Sequence, residues 1–258
     1  MTIVNYQQQG AGPNVLLIHG LLGSLENLNM VAKGLKDHYC VTSIDVRNHG
    51  HSFHENSMSY ESLAHDIIQL LDHLNIQQCA LLGHSMGGKI AMQVALTFPE
   101  RVNQLIVADI APVEYPAHHQ QILEGLQAID LPAIASRKDA DTQLSAYVKE
   151  AGVRQFLLRN LANINDQWQF KCNLSNIVNC YPQIMASYQG NAQFTNPTLF
   201  IKGGNSNYIL AEHREKIVAL FPQSKAKIIQ GAGHWLHAEK THAFNKIVTD
   251  FLGKPLTE

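Results

Sequence analysis

The residues best suited to chemistry lie together in Gly83-His84-Ser85-Met86-Gly87-Gly88. A serine held between glycines in a tight strand-to-helix turn can present its hydroxyl as a nucleophile, because a Cβ at Gly83 or Gly87 would collide with neighbouring backbone. The apolar run Cys79 to Leu82 ahead of it and Lys89 to Phe98 behind it read as that strand and that helix. At the helix start the Met86 N–H has no intrahelical partner, and the helix dipole there favours negative charge. A nucleophilic serine needs a base, and the base needs an orienting partner. His234, in Gly231-Ala232-Gly233-His234-Trp235, follows the last strand, which puts it at the same sheet edge as Ser85. Of the 14 histidines, His84 adjoins the serine but should point away from it, and His237 reads as structural.

The orienting acid is the harder assignment. The strand ending Lys202-Gly203-Gly204 is followed by Asn205-Ser206-Asn207-Tyr208, which contains no carboxylate. Asp109 ends an earlier strand expected to lie beside that of Ser85, and it keeps the chain order Ser, Asp, His. Asp45, Glu114 and Glu212 stand as alternatives. An oxyanion needs preorganised donors. Met86 N–H is one, and Leu21 N–H, in the glycine-bounded loop His19-Gly20-Leu21-Leu22-Gly23-Ser24, is the expected second. No metal or cofactor is expected. His49, His51 and His54 share a loop without a further ligand at metal spacing, and Gly203-Gly204 lacks the Lys-Ser/Thr of a phosphate loop.

These groups need a scaffold, and 258 residues can hold one large α/β domain with an insertion or two modest domains. A net charge of −2 excludes a basic field for nucleic acid or a polybasic membrane contact. No apolar run approaches a membrane span and no signal peptide is evident, so neither is expected. Cys40, Cys79, Cys172 and Cys180 lack metal-ligand spacing and read as free thiols of a cytoplasmic protein. Strands are expected at Thr2 to Gln8, Val15 to Ile18, Cys40 to Val46, Cys79 to Leu82, Leu105 to Ala108, Pro197 to Lys202 and Ala226 to Ile229. Helices are expected at Ser24 to Asp37, Tyr60 to Leu74, Lys89 to Phe98, Ala211 to Phe221 and Glu239 to Leu252. This alternation predicts βαβ units and a parallel sheet. Between Val113 and Thr195 it breaks into helices alone, at Ala117 to Ile129, Thr142 to Ala151, Val153 to Leu161 and Cys172 to Met185. Residues 113–195 thus read as a cap inserted in a core of 1–112 and 196–258.

His19-Gly20, Asp45-x-Arg47-x-x-Gly50-x-Ser52, the Ser85 turn and Gly231-x-Gly233-His234 occur in an order that resembles the α/β-hydrolase superfamily. Asp45 to Gly50, Asp109 to Val113, Gly203 to Ser206 and Gly233-His234-Trp235 are similar to bacterial YbfF-type esterases and the related ABHD11-type hydrolases. The resemblance implies a mostly parallel sheet flanked by helices, a helical cap after the sixth strand, and an acid at the Asp109 position. It also implies an esterase or thioesterase acting on small-molecule acyl substrates, acyl-CoA among them. The leading expectation is a serine esterase for short to medium acyl esters, monomer or dimer, with Ser85, His234 and Asp109 as triad. Thioester hydrolysis is the variant, with Arg137, Lys138 or Arg154 meeting CoA phosphates. C–C bond hydrolysis, perhydrolysis and a non-catalytic binding protein are the remaining alternatives.

Overall fold

The apolar runs become neighbouring strands. The computed structural model describes residues 2–253, so Met1 and residues 254–258 of the expected core lie outside the described residues. In chain order the first part comprises β1 (Tyr6–Gln9), β2 (Asn14–Ile18), α1 (Asn29–Leu35), β3 (Cys40–Ile44), α2 (Tyr60–His73), β4 (Cys79–His84), α3 (Met86–Thr97) and β5 (Val102–Ala108). The segment that follows holds α4 (Gln120–Gln127), α5 (Arg137–Leu144), α6 (Ala151–Leu157), β6 (Leu161–Ile164), β7 (Gln167–Phe170), α7 (Leu174–Asn179) and α8 (Tyr181–Met185). The chain then returns with β8 (Thr198–Gly203), α9 (Arg214–Leu220), β9 (Ser224–Ile229), α10 (Leu236–Glu239) and α11 (Thr241–Leu252).

Seven strands form one sheet in the order β1-β3-β2-β4-β5-β8-β9, with only β1 antiparallel to its neighbour. Inner strands of a parallel sheet are covered on both faces and therefore read as continuous apolar runs. β4 shows the consequence: Leu81 packs with α2 and α3 on one face, while Ala80 and Leu82 face the layer of α1 and α11. The chain runs outward from β2 to β3 and then returns to β4 on the other side of β2. Such a reversal opens a crevice at the carboxyl ends of the strands, where ligands bind in open α/β sheets. The loops after β2 and β4 meet there.

Three expectations need correction. The insertion follows the fifth strand, not the sixth, because among the described residues five strands, β1 to β5, precede it, matching the five runs of strand pattern ahead of Val113. The inserted segment is not purely helical. β6 and β7 pair antiparallel through Asn165 and Asp166, both at positive φ, which suits a two-residue hairpin turn. A helix expected at Thr142 to Ala151 instead lies at Arg137–Leu144, where Ser136 accepts from Asp139 N–H as N-cap. Elsewhere the shifts are small: the expected Ser24 helix begins as a 3₁₀ turn at Leu25–Leu28 before α1.

Candidate active site

Ser85 sits between β4 and α3 at φ 55° and ψ −122°, a conformation that side chains rarely adopt. Its neighbours make that turn possible. A Cβ on Gly87 would strike the carbonyl oxygens of Ile18 and His19, and one on Gly83 would strike the Gly87 carbonyl. β2 and β4 are hydrogen-bonded neighbours, so the turn after one must lie flat against the end of the other. Asp109, directly after β5, is also held at positive φ, 53°, with its N–H donating to Ile201 O at 2.8 Å. Two residues in sparsely populated backbone conformations therefore lie at one sheet edge, and such strain collects at functional sites.

Between them stands His234, in the loop after β9. His234 Nδ1–H donates to Asp109 Oδ2 at 2.7 Å, and His234 Nε2 lies 3.0 Å from Ser85 Oγ. The carboxylate is wholly buried and further held by Gly203 N–H, 2.9 Å from Oδ1, and by the Ser206 hydroxyl on Oδ2. The loop without a carboxylate therefore supplies a donor to one that arrives from the neighbouring strand. Tyr208 of the same loop stacks on the His234 ring, with centroids 3.8 Å apart and planes 18° from parallel. Sequence reasoning assigned neither Ser206 nor Tyr208 a role, because a serine or tyrosine two residues apart in a loop has no periodic or spacing signature. The usable signal was the Gly203-Gly204-Asn205-Ser206 match itself.

The other acids occupy different places. Asp45 is buried, but it accepts from Asn5 Nδ2, Leu25 N–H and His51 N–H at 2.8, 2.8 and 2.9 Å, tying the residue before β1 to the 3₁₀ turn at Leu25 and the loop at His51. Glu114 and Glu212 are exposed. His84 points away from Ser85, and its Nε2–H donates to the His234 carbonyl at 2.8 Å.

Met86 N–H and Leu21 N–H have no protein acceptor among the described residues. The Leu21 loop is held from behind by neutral histidines. His49 donates through Nδ1 to Arg47 O at 3.0 Å and accepts Leu22 N–H at Nε2, 3.1 Å away. His19 donates through Nδ1 to Gly20 O at 2.7 Å and accepts Val46 N–H at Nε2, 3.0 Å away. A protonated ring could accept neither N–H. Burial holds His19 below its ordinary value, and it pushes His49 down to about 3 with help from the His19 ring. It likewise pushes His237 down to about 4, with His234 adding to the effect.

These shifts set an acid limit on stability. An unfolded chain takes up protons near its ordinary histidine value of 6.5, while the folded rings of His49 and His237 refuse them until about 3 and about 4. The stability their neutral burial permits is present above pH 6.5 and is lost as pH falls below it. Two such rings correspond to roughly 3 kcal/mol per pH unit, or a melting temperature lower by about 6 to 12 °C per unit. Thermal melts at pH 7, 6 and 5 should show a fall that steepens toward this slope between pH 6 and 5. A flat profile would mean that these rings accept protons in place.

Ser85 opens on an apolar cavity of about 410 Å³. Its wall includes Leu21, Ile122, Val153, Phe156 and Leu157, and a rim where Trp235 meets Phe156 at 5.8 Å between centroids. α6 divides this cavity from a separate cleft. Val153, Phe156 and Leu157 face the Ser85 side, while Arg154 lines the other cleft with Arg137 and Lys138. Arg154 there pairs with Asp141 at 2.8 Å. The basic residues singled out for CoA phosphates are thus not brought to the Ser85 cavity. His49 is engaged with Leu22 and Arg47, while His51 and His54 are exposed.

A model of the alpha/beta hydrolase fold matches residues 13–131, and the chain belongs to the α/β-hydrolase family. Among its relatives, the sn-1-specific diacylglycerol lipase ABHD11 of Mus musculus is 40% identical over 248 residues, covering 93% of this chain and 81% of that protein. Esterase YbfF of Escherichia coli (strain K12) is 35% identical over 247 residues, covering 95% of each. A solved structure described as a marine microorganism esterase superposes with a TM-score of 0.95 at 37% identity, over 97% of this chain and all of that one. With these relatives the chain is a carboxylic ester hydrolase. No helix among the described residues is long and apolar enough to cross a membrane.

Proposed function

We propose that this hydrolase works through a Ser85-His234-Asp109 triad, with Leu21 and Met86 N–H groups as its oxyanion hole. The observation that carries the reading is the unbroken hydrogen-bonded line from Asp109 through His234 to Ser85 at the mouth of the apolar cavity. Ser85 Oγ attacks the ester carbonyl while His234 Nε2 takes its proton, and Asp109 holds the ring so that Nε2 faces the serine. Negative charge developing on the carbonyl oxygen meets two preorganised backbone donors. His234 returns the proton to the leaving alcohol, then activates water to release the acid from the acyl-enzyme.

Residues 113–195 act as a cap over the core, since α4 and α6 contribute Ile122, Val153, Phe156 and Leu157 to the cavity wall. A cavity of about 410 Å³ with an apolar wall suits short to medium acyl esters of small-molecule alcohols. The same machinery serves thioesters, and acyl-CoA is the second reading. Four unpaired cysteines fit a cytoplasmic location.

The test is initial rate across p-nitrophenyl esters of rising acyl length, matched acyl-CoAs and acylglycerols of the kind named for the mouse relative, with Ser85→Ala as blank. Short esters should turn over fastest. Faster acyl-CoA turnover would favour the thioesterase reading. No turnover above the blank would return C–C bond hydrolysis, perhydrolysis or simple binding to consideration.

A further inference from the structure

The loop that carries the Leu21 N–H is held in a strained turn. Gly23 N–H donates to Gly20 O at 3.0 Å, which closes a turn with Leu22 as its third residue. Leu22 stands at φ 57°, in the region that a type II turn demands at this place and normally fills with glycine. A leucine persists there only when its surroundings over-determine it. The turn also lies hard against the nucleophile, since a Cβ on Gly20 would come within 3.2 Å of the Ser85 Cβ.

Leu22 is fixed from three sides. Its side chain is buried in the core. Its N–H donates to His49 Nε2, 3.1 Å away. Its carbonyl accepts from Asn160 Nδ2 at 2.7 Å, a residue of the inserted segment 138 positions further along the chain. The same Nδ2 lies 3.2 Å from the carbonyl oxygen of Leu157, the last residue of α6. Both neighbours are carbonyl oxygens, so the amide must present its nitrogen to them. The Asn160 backbone is tied down in turn, its carbonyl accepting Lys171 N–H at 2.7 Å just beyond β7.

The bond is more than a packing contact. Asn160 is buried, 4% exposed, and an amide in such a place is costly unless it is hydrogen-bonded. An apolar side chain would avoid that cost but leave the Leu22 carbonyl without this donor. Leu22 and Leu157 both line the cavity on which Ser85 opens. One amide therefore joins a helix that walls the cavity to the turn that carries an oxyanion donor.

We propose that Asn160 is a positioning residue for the oxyanion hole. It holds the Leu22 peptide, and through it the Leu21 N–H, where negative charge develops on the attacked carbonyl. The inserted segment then takes part in the reaction and does not only cover the site. This rests on the reading of Leu21 N–H as an oxyanion donor. A donor displaced by a fraction of an ångström stabilises the transition state less and leaves ground-state binding in place, so the effect belongs in kcat.

The test is a double-mutant cycle on hydrolysis of p-nitrophenyl butyrate. Asn160→Ala should lower kcat by about 10-fold, the order of one hydrogen bond, with KM within about twofold of wild type. The pH dependence of kcat should stay where it is, because the Asp109-His234 pair is untouched. Leu21→Pro removes the N–H itself, and a type II turn accepts proline at this second position. It should lower kcat by about 10²- to 10³-fold, as loss of an oxyanion donor does. In the Leu21→Pro background, Asn160→Ala should then cost nothing further in kcat. Should Asn160→Ala not fold, Asn160→Ser carries the same cycle with a loss of about threefold, since a water held by the hydroxyl still reaches the Leu22 carbonyl. An unchanged kcat in the variant that folds, a loss confined to KM, or the same loss with and without the Leu21 N–H overturns the proposal. So does a shifted pH profile, which would place the effect on His234. A low kcat in Leu21→Pro beside an unchanged one in the Asn160 variant would remove the Asn160 role alone. Wild-type turnover in Leu21→Pro would remove the oxyanion reading of Leu21 itself.

Discussion

Replacing Ser85 with alanine is expected to lower kcat for ester hydrolysis by about 10⁶-fold, the order seen when a triad nucleophile is removed. Alanine keeps the Cβ and demands the same positive φ as serine, so the turn at 55° is neither relieved nor further strained. Among the described residues, the side-chain hydrogen bond removed is the 3.0 Å approach of Oγ to His234 Nε2. Folding should therefore be unchanged, and equal melting temperatures would assign the loss to chemistry. Residual turnover above water is expected, because the proposed oxyanion donors, the Leu21 and Met86 N–H groups, would remain to polarise a bound carbonyl. A rate within about tenfold of wild type would mean that Ser85 is not the nucleophile and that the strained turn serves another purpose.

Asp109→Asn is expected to lower kcat by about 10⁴-fold with little change in structure. Gly203 N–H donates to Oδ1, so an amide at this position keeps its oxygen there and turns its NH₂ toward His234 and Ser206. That NH₂ would donate to His234 Nδ1, which must then give up its own proton and carry one on Nε2. A ring protonated at Nε2 cannot accept from Ser85. The loss should appear in kcat for every ester alike, since Asp109 is wholly buried and is absent from the wall of the cavity on which Ser85 opens. Near wild-type turnover in this variant would place the orienting acid elsewhere. Asp45 is then the first residue to test, although its carboxylate already accepts three donors.

The effect of that single amide shows why the loop after β8 was hard to read. Its composition, Asn205 to Tyr208, signals only the absence of a carboxylate. What it contributes, a hydroxyl on Asp109 and an aromatic face on His234, depends on β5 and β8 being adjacent, with Ala108 paired to Ile201. Lys89 is similar. In the sequence it is one polar residue of a largely apolar helix, and the cost of burying its ammonium becomes apparent only once the end of α8, 96 residues further on, closes over it.

Local pattern carried a great deal. Continuous apolar runs specified buried parallel strands, since both faces of such a strand must be covered. Glycines around Ser85 marked a turn that tolerates no Cβ, and the alternation of strands and helices fixed the fold class. The inserted segment was read less well. Its helices are short, its hairpin is one four-residue strand against another, and periods so brief are easily matched by several structures. By itself, then, the sequence determined which elements form and which side chains stand at the carboxyl edge of the sheet. Only the tertiary structure decided that Asp109, His234 and Ser85, separated by 125 and 149 residues, meet within 3.0 Å. It also decided that Asp45 does not join them. The reason is geometric: periodicity is a property of neighbours in the chain, whereas hydrogen bonding across strands depends on their order and register, which no single segment encodes.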